Sequence, residues 1–254
     1  MRTDITCALG GVNLHSLDSR IYVEDIKEEP TDTMETASRS GYGTFPLGEP
    51  VRDSLPIRVT CYVKERDRAA REAVYQKILG WCTKGWFTKS TRPGQRIYVF
   101  CTKPPSTETF ESGRLEIEFT AYGEAYWQES TPTSVSSESA VSTATETITP
   151  NGTQECFLEA DITPSGSTLT SAKIIVGSQT LELAGLSVAS GTTLKISYDE
   201  RHILRIKAGS TSVLKRRTAA SVDDIILIAG VANTVALTFD AACNYTLKAR
   251  GLWK

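Results

Sequence analysis

Six cysteines, two histidines and one adjacent pair of aspartates are the side chains of this chain that could carry chemistry. The cysteines are Cys7, Cys61, Cys82, Cys101, Cys156 and Cys243, and no two stand in a C-x-x-C pair. With only His15 and His202 to add, that spacing argues against a zinc site. Most of these cysteines sit in apolar-alternating runs, where a free thiol behaves as a small hydrophobe, so all six are expected as buried, reduced thiols. The two histidines fall in opposite halves of the chain, and nothing in the spacing pairs either with a nucleophile. Asp223 and Asp224 look like an acidic dyad. Neighbours on a strand point to opposite faces, however, so the pair reads as a polar entry to "IILIAG". His202, in "YDERHILRI", reads as a half-buried strand residue. The chain has no H-E-x-x-H, no G-x-x-x-x-G-K and no G-x-S-x-G. The expectation is a protein without catalytic, cofactor or metal residues, and not an enzyme.

Aromatics are the next candidates. "WCTKGWFTKSTRPGQRIYVFCT", residues 81–102, crowds Trp81, Trp86 and Phe87 into seven positions. Aromatics so placed can stack on a sugar. Trp81, however, continues the apolar stripe of a predicted helix, and Trp86 and Phe87 follow Gly85. The preferred reading is that they seal a helix–strand connection, with "TRPG" turning into the strand "QRIYVFCT".

Charge removes whole classes of partner. The net charge is −2 over 254 residues, and neither half carries the basic excess that a phosphate-backbone binder needs. "KRR" at 215–217 reads as a solvated loop in a Ser/Thr/Ala-rich stretch, so no direct nucleic-acid recognition is expected. The start, "MRTDITCALGGVNL", has no long apolar run of a secretory signal, and no stretch approaches a membrane span. A cytoplasmic origin without membrane contact is expected, and the sequons at Asn151 and Asn244 then mean little.

The elements that must position these residues change character near residue 130. "LPIRVTCYVKE" alternates Ile57, Val59, Cys61 and Val63 with Arg58, Thr60, Tyr62 and Lys64, which predicts a strand. "RDRAAREAVYQKILGWC" places Ala70, Val74, Ile78 and Trp81 on one stripe, which predicts the one helix, at about 66–82, with Asp67 helping to start it. "GVNLHSLDSRIYVEDIKEEP" predicts a short strand and then a longer one. "RIYVFCT" and "GRLEIEFTAYG" read as two more, and Leu115, Ile117 and Phe119 share a face of the second. The Gly- and Ser-rich excursion at about 31–53 reads as a long loop or an extended arm. Residues 131–149 read as a Ser/Thr-rich connection, with one edge strand at "TATETITP". From 150 to 254, eight short strands at roughly ten-residue spacing suggest a sandwich or jelly roll without a helix. The last three are "DDIILIAG", "TVALTFD" and "NYTLKARGLW".

That order of elements resembles the distal tail proteins of long-tailed siphophages. The first half carries the resemblance in "LPIRVTCYVKERDRAAREAVYQKILGW", "RPGQRIYVFCT" and "RLEIEFTAYGEAYW". The second carries it in "TLKISYDERHILRIKAGSTSVLKRRTAASVDDIILIAGVANTVALTF". Its most specific piece is "IILIAGVANTVALTF", with Gly230 and Asn233. The resemblance implies a mainly β protein. Residues 1–130 would form a tail-tube-like β-sandwich with one α-helix, and 150–254 a galectin-like or jelly-roll β-sandwich. It implies a structural component of the phage tail tip, or baseplate, assembled in the host cytoplasm. A homo-hexameric ring would join the tail-tube protein to the tail-associated hub protein, with outer domains that can hold a receptor-binding protein or fibre. Residues 31–53 carry too few large apolar side chains for a core of their own and are expected as an arm ordered against a neighbouring subunit.

A different function remains open. The second half could be a carbohydrate-binding or adhesion module, with Phe157, Tyr198, Phe239, Tyr245 and Trp253 as the aromatics available to it. Most of these sit in alternating strands and read as core. A wall hydrolase is disfavoured by the lack of a convergent acid–base set.

Overall fold

Alternation decides the first half. Leu55, Ile57, Val59, Cys61 and Val63 are all fully buried on one face of a single strand. Leu115, Ile117 and Phe119 do the same on its neighbour. A computed structural model describes residues 5–39, 43–106, 113–122, 125–200 and 202–254, with residues 33–39 and 43–52 described by backbone alone. The chain divides into two compact units, Met1–Trp127 and Gln128–Lys254.

The first unit is built from β1 (Cys7–Leu9), β2 (Val12–Asn13), α1 (Leu14–Leu17), β3 (Ile21–Glu28), β4 (Thr31–Arg39), β5 (Gly43–Val63), α2 (Arg68–Trp81), β6 (Lys84–Lys89), β7 (Gln95–Lys103) and β8 (Arg114–Tyr122). Its antiparallel sheet runs β2-β1-β6-β7-β8-β5-β3, with β4 also on β5. Helix α2 covers one face. Val74, Tyr75, Ile78 and Trp81 are its buried residues, and the Trp81 ring meets Phe119 edge-on at 5.5 Å. Asp67 caps the helix by accepting from the Ala70 N–H at 2.7 Å, an interaction typically worth about 1 kcal/mol. Ala70, expected on the apolar stripe, is only half-buried, and Tyr75 takes its place in the core.

Of the two readings of the excursion at about 31–53, a long loop or an extended arm, the pairing of β4 with β5 from Thr31–Ser54 to Arg39–Gly43 gives the arm. Two other expectations need correction. Trp86 and Phe87 do not sit in a connection. They lie on strand β6, which forms a hairpin with β7 in the register Trp86–Tyr98 and Phe87–Ile97. A second short helix, α1, stands where a strand end was expected. The Asn13 side chain accepts from the His15 N–H at 2.9 Å and so stabilises its first turn.

Strand β9 (Trp127–Glu129) spans the boundary between the units. The second unit contains β10 (Thr133–Ser136), β11 (Val141–Ile148), β12 (Cys156–Pro164), β13 (Leu169–Val176), β14 (Gln179–Val188), β15 (Leu194–Tyr198), β16 (Leu204–Ala208), β17 (Thr211–Ser212), β18 (Ile226–Leu227), β19 (Asn233–Ala249) and β20 (Leu252–Trp253). A 3-10 turn at Leu214–Arg216 is its helical piece among the described residues.

Residues 131–149, expected as a connection with one edge strand, carry β10 and β11, both paired with β19. The two strands expected at "TVALTFD" and "NYTLKARGLW" are one strand of 17 residues. β19 pairs β13 through Val235–Phe239 and β12 through Cys243–Ala249. Asp240 fixes the crossover, since its carboxylate accepts from the backbone N–H groups of Thr170 and Ser171. "DDIILIAG" supplies only the two residues of β18, and Ile228 emerges exposed. The chain end returns to the 151–154 loop, where Leu252 bridges Gly152 and Gln154, while the Gly251 carbonyl accepts from the Glu129 N–H at 2.9 Å.

Candidate functional site

Among the described residues, the histidines and aspartates that could carry chemistry do not converge. His15 lies in the first unit, with Nδ1 donating to the Ile21 carbonyl at 2.7 Å and its ring 5.9 Å from Tyr22. His202 lies in the second, in the turn after β15, with its ring 5.4 Å from Phe157. Asp223 is paired with Arg217 at 3.1 Å, which also accounts for one member of the basic run at 215–217. Among the described residues, no three His, Cys, Asp or Glu side chains are grouped to hold a metal. Also among them, no helix is long and apolar enough to cross a membrane.

What the first unit presents instead is an aromatic strip. Side chains alternate across a sheet, so the core face of β6–β7–β8 takes Phe87, Ile97, Val99 and Phe119. The opposite face takes Trp86, Tyr98, Phe100 and Tyr122. These four rings follow one another across three strands. Trp86 meets Tyr98 at 5.3 Å, Tyr98 meets Phe100 at 5.6 Å, and Phe100 meets Tyr122 at 6.0 Å. The Arg96 guanidinium lies 4.1 Å from the centroid of Trp86. Tyr122 closes the strip at 61% exposure, the largest exposure among the big apolar side chains described. Beside it on the same face, Arg58 of β5 reaches Glu118 of β8 at 3.8 Å, and Glu29 at 3.5 Å. An aromatic strip with an arginine and a polar flank has the composition of a protein-contact surface. The sequence singles out Trp86 but couples it with Phe87, which the pleat sends to the core.

A second constellation has no counterpart in the sequence pattern. Glu28 at the end of β3 takes an ion pair from Lys89 and another from Arg92 at 3.3 Å. It also accepts from the Trp127 indole N–H at 3.2 Å. The ammonium of Lys89 and the guanidinium of Arg92 lie 5.3 and 5.2 Å from the Trp127 ring. Burial alone would raise the Glu28 carboxyl. The hydrogen bond from Lys89, the charges of Lys89 and Arg92, and the Trp127 N–H outweigh it and hold the group below its ordinary range. Glu28 meets partners 61, 64 and 99 positions away in sequence here, and no local pattern signals them.

In the second unit, Gly230 and Asn233 are structural. Asn233 is buried, and its Oδ1 accepts from the Ile228 N–H at 3.0 Å. Its Nδ2 donates to the carbonyls of Ile228 and Val231 at 2.9 and 2.7 Å. Gly230 holds a left-handed φ of 69° and donates to the Pro150 carbonyl at 2.8 Å. Of the five aromatics available for sugar stacking, Phe239 and Tyr245 are core. Phe157 and Tyr198 stack on each other at 4.4 Å, and Trp253 is half-buried.

No family model matches the chain, and no curated protein matches it in sequence. Solved structures do match it in fold. The crystal structure of the Dit protein (gp 19.1) of phage SPP1, described as a paradigm of the hub adsorption apparatus in phages infecting Gram-positive hosts, matches with a TM-score of 0.68. The two are 11% identical, and the match covers 97% of this chain and 98% of that one. A chain of the phage p2 baseplate in its activated conformation with Sr matches with a TM-score of 0.54 at 9% identity, over 97% of both chains. One from the Ca-activated p2 baseplate matches with 0.52 at 8% identity, over 91% of this chain and 90% of that one. Across both of its units, this mainly β chain has the fold of the SPP1 Dit protein.

Proposed function

We propose that this protein is a non-enzymatic structural component of a phage tail tip. It assembles as a hexameric ring that joins the tail tube to the hub and the receptor-binding apparatus. The observation that carries this reading is the match to SPP1 Dit across nearly the whole of both chains, both units included.

Two features of the first unit support a ring. A closed ring needs a heterologous interface, in which one face meets a different face of the next subunit. The long β4–β5 hairpin is one candidate partner in that contact, and the aromatic strip Trp86–Tyr98–Phe100–Tyr122 supplies the apolar surface of the other. The second unit would then hold further tail proteins. The sugar-binding alternative loses support from the second unit, because Phe239 and Tyr245 lie in its core.

Light scattering on the purified protein, followed by negative-stain imaging of the main peak, tests the reading. A six-fold ring with a central hole is expected, in solution or on added tail tubes. A variant lacking residues 36–48 should stay folded and lose the ring. A protein that stays monomeric alone and does not bind tail tubes overturns the proposal. Glycan binding by the same sample would move the assignment to an adhesion module.

A further inference from the structure

Four of the six cysteines are sealed in the interior. Cys7, Cys61, Cys156 and Cys243 are all at most 2% exposed. The two that remain, Cys82 and Cys101, are both only half-buried.

The fold brings them together by three separate constraints. Cys82 terminates α2, its N–H donating to the carbonyls of Ile78 at 3.0 Å and Leu79 at 3.2 Å. The neighbouring Thr83 carbonyl accepts from the Cys101 N–H at 2.9 Å, which continues the β6–β7 ladder back to the end of the helix. Cys101 shares the helix-facing side of β7 with Ile97 and Val99. It pairs with Phe119, the residue on which Trp81 packs, and Trp81 immediately precedes Cys82. These backbone constraints set the two cysteines side by side, close enough for each thiol to act on the other electrostatically.

We propose that Cys82 and Cys101 form a modification site, which a small disulfide such as oxidised glutathione closes into an intramolecular disulfide joining the end of α2 to strand β7. The order of events follows from the two environments. Burial raises both thiols, and the Cys82 thiol and the Lys103 backbone N–H oppose that rise at Cys101, so Cys101 is assigned the first attack. Its thiolate attacks one sulfur of the glutathione disulfide, whose S–S bond breaks and releases one glutathione thiolate. Cys82 then loses its proton and attacks Cys101 Sγ in the mixed disulfide, and the second glutathione leaves. The protein loses two electrons and two protons, which the two glutathione molecules take up. The closed loop contains residues 83–100 and so the whole of β6.

The test is to incubate the intact protein with oxidised glutathione, count thiols in denaturant, and map peptides without reduction. The expected result is a fall from six free thiols to four, a mass loss of about two units, and a single Cys82–Cys101 cross-linked peptide. The melting temperature should rise by roughly 10 °C and fall back on reduction. Cys101→Ser should show neither the cross-link nor the rise. Six thiols remaining after prolonged incubation would overturn the proposal. So would a cross-link at any other pair, or a glutathione adduct that persists on Cys101 of the unmutated protein. Because the peptide map is read on the unmutated protein, its outcome does not depend on whether the variant folds.

Discussion

The indole N–H of Trp127 donates to Glu28 Oε2 at 3.2 Å, joining the last residue of the first unit to the end of β3. Lys89, at 8% exposure, and Arg92 bind the same carboxylate, so its loss leaves a nearly buried ammonium without its counter-charge. Removing one partner of such a pair typically costs about 3–5 kcal/mol. Glu28→Gln should therefore lower unfolding stability by about 3 kcal/mol in urea. Trp127→Phe keeps an aromatic ring but loses the hydrogen bond and shrinks a fully buried side chain, and should cost about 2 kcal/mol.

Acid should act through the same carboxylate. Glu28 is held below its ordinary range, chiefly because Lys89 and Arg92 outweigh the effect of burial. A depressed carboxyl contributes stability that is fully present above its unfolded value, about 4.3, and is lost as pH falls through the folded value. Asp18 is held down too, by hydrogen bonds from Arg20 and Lys77. Stability should thus decline below about pH 4.3, and Glu28→Gln should flatten part of that decline. An unchanged pH profile in the variant would show that Glu28 is not coupled to folding.

The elements that repeat a period are the ones legible in the sequence. The stripe Val74, Ile78 and Trp81 marks α2, and the alternation in β5 and β8 marks their core faces. β19 carries a signal of the same kind that its small residues obscure. Val235, Leu237, Phe239, Ala241, Cys243, Tyr245 and Leu247 keep an unbroken period of two through "DAACN", so no turn interrupts the strand. The small residues there suggest a break, whereas phase is the better guide. The arm reads equally as a loop because a hairpin with few large apolar side chains looks like one until its backbone pairing is known. The Glu28 knot and the Trp86–Tyr122 strip depend on strand order, which a single sequence does not encode locally.

The aromatic strip separates stability from assembly. Tyr122 is largely exposed at its end, so Tyr122→Ala should change folding stability by no more than about 0.5 kcal/mol. If the strip is a subunit contact, the same substitution should weaken self-association by roughly tenfold or more, read by sedimentation across a concentration series. Equal association by the variant and the parent would remove the strip from the interface.

Asn233 closes the loop between β18 and β19 with both ends of its amide. Ile228 donates to it, and it donates to the carbonyls of Ile228 and Val231. Asn233→Ala leaves these backbone groups unpaired at a buried position, and each such group costs about 1–3 kcal/mol. The expected loss is about 3 kcal/mol, with faster amide exchange at Ile228 and Gly230 before the rest of the second unit opens. Asn233→Asp is the informative companion. It retains the acceptor for the Ile228 N–H but sets a carboxylate against two carbonyls, so it should be no more stable than Asn233→Ala.

Gly152 tests how the chain end is held. Its φ is 110°, a conformation that costs an L side chain strain, and a Cβ there would lie 2.5 Å from the Leu252 carbonyl oxygen. That oxygen also accepts from the N–H groups of Thr153 and Gln154, at 2.8 and 3.1 Å. Gly152→Ala must therefore either displace Leu252 or abandon the turn. Displacement would break both of these bonds and uncover Leu252, whose side chain is buried. The expected cost is about 2–4 kcal/mol. Limited proteolysis distinguishes the two responses. New cleavage after Arg250 would show that the end has come loose, whereas a uniformly lower melting point without it would place the strain in the 151–154 turn.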